Sequence, residues 1–184
     1  VMAEGRAQLR VRSLGAEATQ PLAGAEGAGS PFWSPDSRYI GLFADGKLKK
    51  IDAAGGSPQS LCDAPRFGTA ATWNREGVIL FSTIEGSIYR VSAEGGQPAV
   101  LRSPHQTGEQ YFWPSFLPDG RHFLFLASVS APRDLYLGSL DSDDVTLLVR
   151  DASRAAYTPP GYLLYVRDGT LLAHPFDAQA LRVT

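Results

Sequence analysis

Residues 32–43 read FWSPDSRYIGLF, in which two aromatic residues, a short polar turn and an apolar run follow one another. Trp33 stands four positions before Ser37 in the turn. The same arrangement recurs three times, with the aromatic and turn residues at Trp73 and Gly77, Phe116 and Gly120, and Tyr157 and Gly161. The four turn residues are separated by 40, 43 and 41 positions. A period in this range predicts a repeat architecture, and repeat proteins commonly present extended binding surfaces.

An apolar run follows each turn, at residues 39–43, 78–81, 123–126 and 162–166. Apolar residues on both faces predict a strand that is covered on both sides. A buried helix is the alternative, but runs of four or five residues bounded by turn residues favour strands.

The remainder of each module predicts further short strands. Hairpin turns follow the apolar runs at Asp45-Gly46, Glu85-Gly86 and Asp168-Gly169, whereas a longer loop through 130–133 takes their place in the third module. An alternating strand comes next, then a glycine pair and a proline in the first two modules. Pro58 and Pro98 are 40 positions apart. Because proline cannot donate to a β-ladder, the fourth strand is predicted to be an exposed edge.

These modules predict an all-β fold, a β-propeller of four-stranded antiparallel blades, with about four blades or blade parts in this chain. Sandwiches and barrels also use short strands, but they do not require a 40-residue period. We expect residues 1–184 to form a single propeller domain or a propeller fragment. It begins with a blade part at 8–29, in which residues 8–22 supply only a third and a fourth strand. The expected blades then lie at 30–68, 69–110, 111–153 and 154–184.

The register of the repeat assigns structural roles to four aromatic residues, which are predicted to lie in the blade cores: Trp33, Trp73, Phe116 and Tyr157. Trp113 also lies 40 positions after Trp73. However, Phe116 holds the equivalent place relative to its turn, so Trp113 is excluded from the series and is expected in the loop that enters a blade.

Composition argues against several classes of partner. The net charge is −2, so no electrostatic feature indicates nucleic acid or an anionic membrane. No apolar run reaches 18 residues, so direct membrane insertion by this chain is not expected. Cys62 is the single cysteine, which leaves neither an intramolecular disulfide nor a cysteine-based metal cluster.

No catalytic motif is evident. The sequence lacks the Gly-x-Ser-x-Gly elbow of hydrolases, the phosphate-binding Walker loop and the kinase catalytic loop. The three histidines show no metal-ligand spacing. The acidic stretch 141–144 favours a solvated turn over a calcium loop. Three lysines at Lys47, Lys49 and Lys50 favour a solvated face over a phosphate site. We therefore predict a chain that is not itself an enzyme and that has no metal or cofactor.

Loops on a rigid scaffold commonly carry binding residues. The candidate loops are 63–69, 103–113 and 151–155. The second is the richest, and its predicted ligand-binding residues are His105, Gln110, Tyr111 and Trp113. Aromatic and amide groups together suit a protein, a peptide or a small polar ligand. The alternative is that Tyr111 and Trp113 pack against a neighbouring blade.

Two stretches, FWSPDSRYIGLF (32–43) and FLPDGRHFLFL (116–126), resemble the Pro-Asp type of WD-like repeat found in TolB-like propellers. Two others, GKLKKIDAAGG (46–56) and PPGYLLYVRDGTLLAHPFD (159–177), are similar to the C-terminal propeller of bacterial eukaryotic-type serine/threonine kinases. That resemblance implies a sensor or binding domain on the periplasmic or extracellular side of a membrane-anchored parent. The second module departs from the pattern, with residues 74–77 in place of the Pro-Asp turn.

Three functions follow as hypotheses. The first is a non-catalytic sensor or protein-interaction propeller, part of such a kinase. The second is the propeller of a prolyl-oligopeptidase-like peptidase, in which it would gate a separate hydrolase domain. The third is structural and has two alternatives. The chain could close as four blades, by pairing its N-terminal strands with those of its last blade. It could instead be a propeller fragment that self-associates, as a homo-oligomer that completes a larger ring, since an open edge strand is prone to pair.

Overall fold

A computed structural model describes residues 2–3, 6–64, 67–130 and 132–184. This part of the chain contains β-strands and no helix, and the strands form five antiparallel sheets. The prediction of an all-β fold built from four-stranded antiparallel blades is confirmed. The sheets do not close into a ring, so the first and last sheets are the two ends of an open array.

The sheets follow one another in chain order. Sheet 1 contains β1 (Met2–Ala3), β2 (Arg6–Val11) and β3 (Gln20–Glu26). Sheet 2 contains β4 (Gly29–Trp33), β5 (Tyr39–Ala44), β6 (Lys47–Asp52) and β7 (Gln59–Asp63). Sheet 3 contains β8 (Phe67–Trp73), β9 (Val78–Thr83), β10 (Ile88–Ser92) and β11 (Ala99–Arg102). Sheet 4 contains β12 (Gln110–Phe116), β13 (His122–Ser128), β14 (Asp134–Ser139) and β15 (Val145–Val149). Sheet 5 contains β16 (Ala156–Thr158), β17 (Tyr162–Arg167), β18 (Thr170–Asp177) and β19 (Arg182–Val183).

Within sheets 2 to 5 the strands pair in sequence order, so the first and fourth strands are the edges. The first strands of sheets 2, 3 and 4 lie beside one another, which places them on the axis side of the array. Pro58 and Pro98 directly precede the fourth strands β7 and β11, so the prediction of a proline-marked edge is confirmed.

Sheet 1 has one strand more than predicted. The chain before β2 forms the short strand β1, which pairs with it through Met2 opposite Ala7 and Ala3 opposite Arg6. The expectation of two strands was wrong because the pairing begins ahead of residue 8. Among the described residues, this sheet has no counterpart of the axial strands β4, β8 and β12.

The turns form by the chemistry that their residues allow. Asp45 and Gly46 have φ of 54° and 69°, the left-handed pair that a two-residue hairpin requires. In the Pro-Asp turns, Asp36 Oδ1 accepts a hydrogen bond from the Arg38 N–H at 3.1 Å, and Asp119 Oδ1 accepts one from the His122 N–H at 3.0 Å. These aspartates therefore act as turn residues, as predicted.

Apolar clusters fill the spaces between neighbouring sheets. The second strands contribute to both sides of their sheet, since side chains alternate along a strand. In β9, Ile79 and Phe81 pack towards sheet 2, whereas Leu80 packs towards sheet 4. This two-sided burial explains the unbroken apolar runs, which the sequence predicts to be covered on both faces.

Polar groups also join the sheets. Arg102 is buried at the end of β11 and donates to the Asp143 carboxylate and to the carbonyls of Ser139 and Ser142. Within sheet 4, Arg121 also donates to Asp141 of the same turn, at 2.8 Å. The acidic turn is therefore tied to sheet 3 by a buried arginine, in addition to being a solvated turn.

The four aromatic residues of the repeat lie at equivalent ladder positions, paired with Ile40, Ile79, Phe123 and Leu163. Trp73, Phe116 and Tyr157 are partly buried and pack on the cluster shared with the preceding sheet. Trp33 is 51% exposed, so its assignment to a blade core was wrong. The reason is that Trp33 faces sheet 1, which lacks an axial strand among the described residues.

Two predicted loops fall partly outside the described residues. Pro65 and Arg66 belong to the candidate loop 63–69, and Ala131 belongs to the loop 130–133.

Candidate functional site

Trp113 does not lie in a loop. Together with Gln110 and Tyr111 it belongs to the axial strand β12, where Gln110, Tyr111 and Phe112 pair with Ser128, Ala127 and Leu126. A bulge between Phe112 and Ser115 then shifts the register, and Trp113 takes φ of 50° within it. The expectation of a loop was wrong because the ladder continues on both sides of the bulge.

Tyr111 is a core residue of the interface between sheets 3 and 4. It is buried, and its ring packs edge-on against Phe125 with centroids 5.0 Å apart. Burial raises the pKa of its phenol to about 12, and the nearby Glu109 carboxylate contributes to the rise. The packing alternative raised by the sequence therefore describes Tyr111.

Gln110 and His105 lie at the edge of the same interface. The Gln110 side chain donates to the Ile84 carbonyl at 2.9 Å, across to sheet 3. Its backbone passes so close to Gly86 that a Cβ on that glycine would lie 2.5 Å from Gln110 Cα. His105 is exposed, and its ring lies 6.3 Å from that of Tyr111.

Trp113 faces a different interface. It packs on the apolar cluster between sheets 4 and 5, beside Phe112 at a centroid distance of 5.8 Å. The Arg133 guanidinium lies over both rings, 4.8 Å from Phe112 and 5.3 Å from Trp113. Tyr111 and Trp113 thus belong to clusters on opposite faces of sheet 4, and the four predicted residues do not converge on one site.

A pocket of about 600 Å³ lies between sheets 2 and 3. It is at the end of the sheets where the first strand turns into the second. Its lining comes from both sheets: Ser34, Pro35, Asp36, Tyr39, Lys50, Gln59, Trp73, Asn74, Arg75, Gly77, Ala93 and Glu94. None of the residues singled out as ligand-binding by the sequence lines it. The pocket exists only where two neighbouring sheets meet, which is why separate loops did not reveal it.

The pocket has an aromatic wall. The Trp73 ring stacks on Tyr39 with centroids 6.3 Å apart and an interplanar angle of 26°. Its edge meets Phe32 at 6.4 Å, which fixes its orientation from the core side. The Arg38 guanidinium lies 5.1 Å from the Tyr39 ring centre. These contacts give the pocket a rigid apolar surface.

Lys50 provides a buried positive charge in the pocket, where the whole residue is only 8% exposed. Its Nζ donates to the Ala93 carbonyl at 2.7 Å and to the Glu94 carboxylate at 3.2 Å. The prediction of a solvated lysine face was wrong for this residue. Lys50 lies on the same side of β6 as the core residue Leu48, whereas Lys47 and Lys49 lie on the other side and pair with aspartates. Residues two positions apart lie on the same face of a strand, so the spacing between Leu48 and Lys50 is the sequence signal that could have predicted the burial of Lys50.

Two further polar residues of the lining, Asp36 and Asn74, are already engaged in hydrogen bonds. Asp36 accepts a hydrogen bond from the Ser34 hydroxyl at 2.6 Å, which is the main reason that its pKa lies below the usual value. The Asn74 amide donates to the Gly120 carbonyl at 2.7 Å, and its oxygen accepts from the Val78 N–H at 2.8 Å. Arg75 is exposed at the rim. Two cations and two carboxylates therefore line the pocket.

Two further features are absent from the part of the chain that the structure describes. No group of three or more histidine, cysteine, aspartate or glutamate side chains is arranged to hold a metal ion there. No helix in that part of the chain is long and apolar enough to cross a membrane.

Two solved structures align with most of the chain. A protein named as a TolB from Agrobacterium tumefaciens has a TM-score of 0.70 and 21% identity, over 90% of this chain and 64% of its own. TolB from Acinetobacter baumannii has a TM-score of 0.73 and 16% identity, over 96% of this chain and 48% of its own. The fold is a TolB-like β-propeller. At these identities the likeness concerns the fold alone.

This chain spans only part of the proteins that it matches. No family model matches the sequence. An uncharacterized protein of Agrobacterium fabrum (strain C58) is 27% identical over 149 residues, which is 74% of this chain and 49% of that protein. The chain thus covers about half of that relative. Prolyl endopeptidases contain the same fold, with a TM-score of 0.61 and 13% identity over 94% of this chain and 33% of theirs.

Proposed function

We propose that this propeller is a non-catalytic binding module that takes up a segment of a protein or peptide in the pocket between sheets 2 and 3. The observation that carries the proposal is the pocket itself: a concavity of about 600 Å³ with a stacked Trp73–Tyr39 wall and a few fixed polar groups. This volume and this mixture of apolar wall and oriented polar groups suit a peptide side chain or chain end.

The electrostatics of the pocket support binding over acid–base chemistry. A general acid or base near neutral pH needs a pKa close to that pH. The Ser34 hydrogen bond moves the pKa of Asp36 the other way, so Asp36 stays ionised as an acceptor. Lys50 is held in place by a carbonyl and a carboxylate, and a fixed cation of this kind suits the binding of a ligand.

The parent protein is part of the proposal. We place the propeller outside the cytoplasm as the sensor domain of a bacterial serine/threonine kinase, on the resemblance of residues 46–56 and 159–177 to such propellers. The coding sequence on either side of this chain tests it. A kinase domain and a membrane-spanning helix upstream would support the kinase. A hydrolase domain with a Gly-x-Ser-x-Gly elbow would replace it with the peptidase alternative.

The binding site can be located with the three tryptophan indole N–H groups, because each reports on a different region. Trp33 marks the open end near sheet 1, Trp73 the pocket, and Trp113 the interface between sheets 4 and 5. Binding peptides are first selected by applying the protein to a synthetic peptide array. The selected peptides are then titrated into the ¹⁵N-labelled chain. We expect the Trp73 indole signal to move with peptide concentration while the Trp33 signal stays in place, and mass spectrometry to recover the peptide intact.

Three outcomes count against the proposal. Shifts centred on the Trp113 indole would move the site to the interface between sheets 4 and 5, where one of the residues that the sequence favoured lies. Cleaved peptide would make the chain an enzyme. An array without any saturable binder would remove the peptide-binding function.

A further inference from the structure

We infer that the pocket recognises a carboxylate group of its peptide, with the Lys50 ammonium as the binding group and Glu94 as a built-in counter-ion that the ligand displaces. This inference rests on the proposed function and names the chemical group that the same site selects.

The first step concerns the cost of burying Lys50. A buried ammonium requires paired charges and hydrogen bonds, because it has lost its contacts with water. Among the described contacts, the Ala93 carbonyl and the Glu94 carboxylate engage two of its three donors. The Tyr39 ring lies 5.4 Å from Nζ and contributes a cation–π contact. The cation is thus fixed in place, and one of its three N–H donors has no hydrogen-bond partner among the described contacts.

The second step is that the partner carboxylate is held much less firmly than the cation. The Glu94 side chain is 85% exposed, whereas that of Lys50 is 9% exposed. Glu94 lies in the turn before Gly95, and its backbone N–H is separately held by the Ser92 hydroxyl at 3.1 Å. Rotating the Glu94 side chain into water therefore leaves the turn intact. An exposed carboxylate on a fixed buried cation is readily exchanged for another, since pairs that reach the surface contribute little.

The third step is the charge of the ligand. Lys50 and Arg75 supply two positive charges to the lining, and Asp36 and Glu94 supply two negative charges. A singly charged carboxylate can replace Glu94 with no net change in the charge of the pocket, whereas a phosphate dianion would leave the pocket with an excess negative charge. The Trp73 and Tyr39 rings adjoin this position and suit an apolar group next to the carboxylate. Two peptide sources have this chemistry: a C-terminal α-carboxylate that follows an apolar side chain, and an acidic side chain beside one.

The experiment uses four acetylated hexapeptides as probes, Ac-GGSGGL with a free or an amidated C-terminus, and Ac-GSLEGG-amide with its Gln counterpart. Binding is measured by calorimetry and located by the Trp73 indole signal. We expect at least one carboxylate to bind about tenfold or more tightly than its neutral counterpart, as for a hydrogen-bonded charge. The free-acid and Glu peptides then distinguish the two sources.

Variants identify the partner of the carboxylate. Lys50→Met should remove the preference for the charged peptide, whereas Lys49→Met is the matched control on the same strand, since Lys49 pairs with Asp45 and does not line the pocket. Glu94→Gln changes an exposed side chain and is expected to fold even if Lys50→Met does not. It should tighten carboxylate binding roughly threefold, because the competing group is lost.

The outcomes separate the two proposals. Equal binding of charged and neutral peptides at Trp73 would overturn the carboxylate inference and leave the binding function standing. Tighter competition by inorganic phosphate than by acetate, or weaker carboxylate binding in Glu94→Gln, would also overturn it. Failure of all four probes, together with failure of the peptide array, would remove both.

Discussion

Trp33 and Trp73 hold the same ladder position in successive sheets, yet their surroundings differ. Trp73 packs against Phe32 and Tyr39, which belong to the first and second strands of sheet 2. Trp33 faces sheet 1, where the described chain supplies no such neighbours, and half of its surface is exposed. A repeat fixes which way a side chain points, but the neighbouring sheet decides how much of it is buried.

Because of this difference, replacing each tryptophan should change the free energy of unfolding by a different amount. Trp73→Ala should lower the free energy of unfolding by about 3 kcal/mol, since it removes a large packed ring from an apolar cluster. Trp33→Ala should cost less than about 1 kcal/mol, in the range of partly exposed substitutions. Urea unfolding followed by circular dichroism measures both. Equal losses would mean that Trp33 is covered in solution, in contradiction to its 51% exposure in the structure.

Glycine and aromatic residues shape the sheets at the scale of the element. In the central strand β5, Gly41 lies directly under the Phe32 ring of β4. A Cβ on Gly41 would come within 2.2 Å of that ring. Phe32 in turn contacts Phe43 at 6.4 Å and Trp73, so the missing side chain lets the axial strand pack on the second strand. The sequence predicted this strand, but its glycine gave no sign of the ring above it.

Gly41→Ala should therefore destabilise the protein by roughly 1–3 kcal/mol, because Phe32 must leave its position. Gly15→Ala is the matched control. It has open space around the site and no left-handed φ, so its effect should be near zero. Thermal unfolding of the two variants gives the comparison. A neutral Gly41→Ala would show that Phe32 can repack without cost.

The two ends of the array matter most at the scale of the whole molecule. In sheet 5, Leu164 holds the position of Leu80 and Leu124, which are 0% and 1% exposed beneath the following sheet. No described sheet covers this face of sheet 5. Its neighbours Val166 and Leu171 are 40% and 66% exposed. An apolar surface of this kind favours association with another sheet.

Self-association through this face, as a homo-oligomer that completes a larger ring, predicts a concentration-dependent mass for the isolated chain. Leu171→Lys should shift the chain towards the monomer, because a charge would replace the most exposed of these apolar side chains. Leu14→Lys is the control, since Leu14 is fully exposed in a turn of sheet 1 and is not part of sheet 5. Sedimentation velocity measures both. A chain that stays monomeric at all concentrations would exclude self-association.

The sequence by itself determined the repeat, its strands and its turns. The 40-residue period, the two-sided apolar runs and the turn residues are local patterns, and local backbone chemistry is enough to set them. Tertiary structure alone decided which faces are covered and where a ligand fits. Lys49 and Lys50 are adjacent in sequence, but only the packing of sheet 2 against sheet 3 buries Lys50 against Ala93. Likewise, Trp73 becomes a pocket wall only because sheet 2 places Tyr39 against it. A pocket between blades depends on contacts between residues about 40 positions apart, and no single module contains both sides of it.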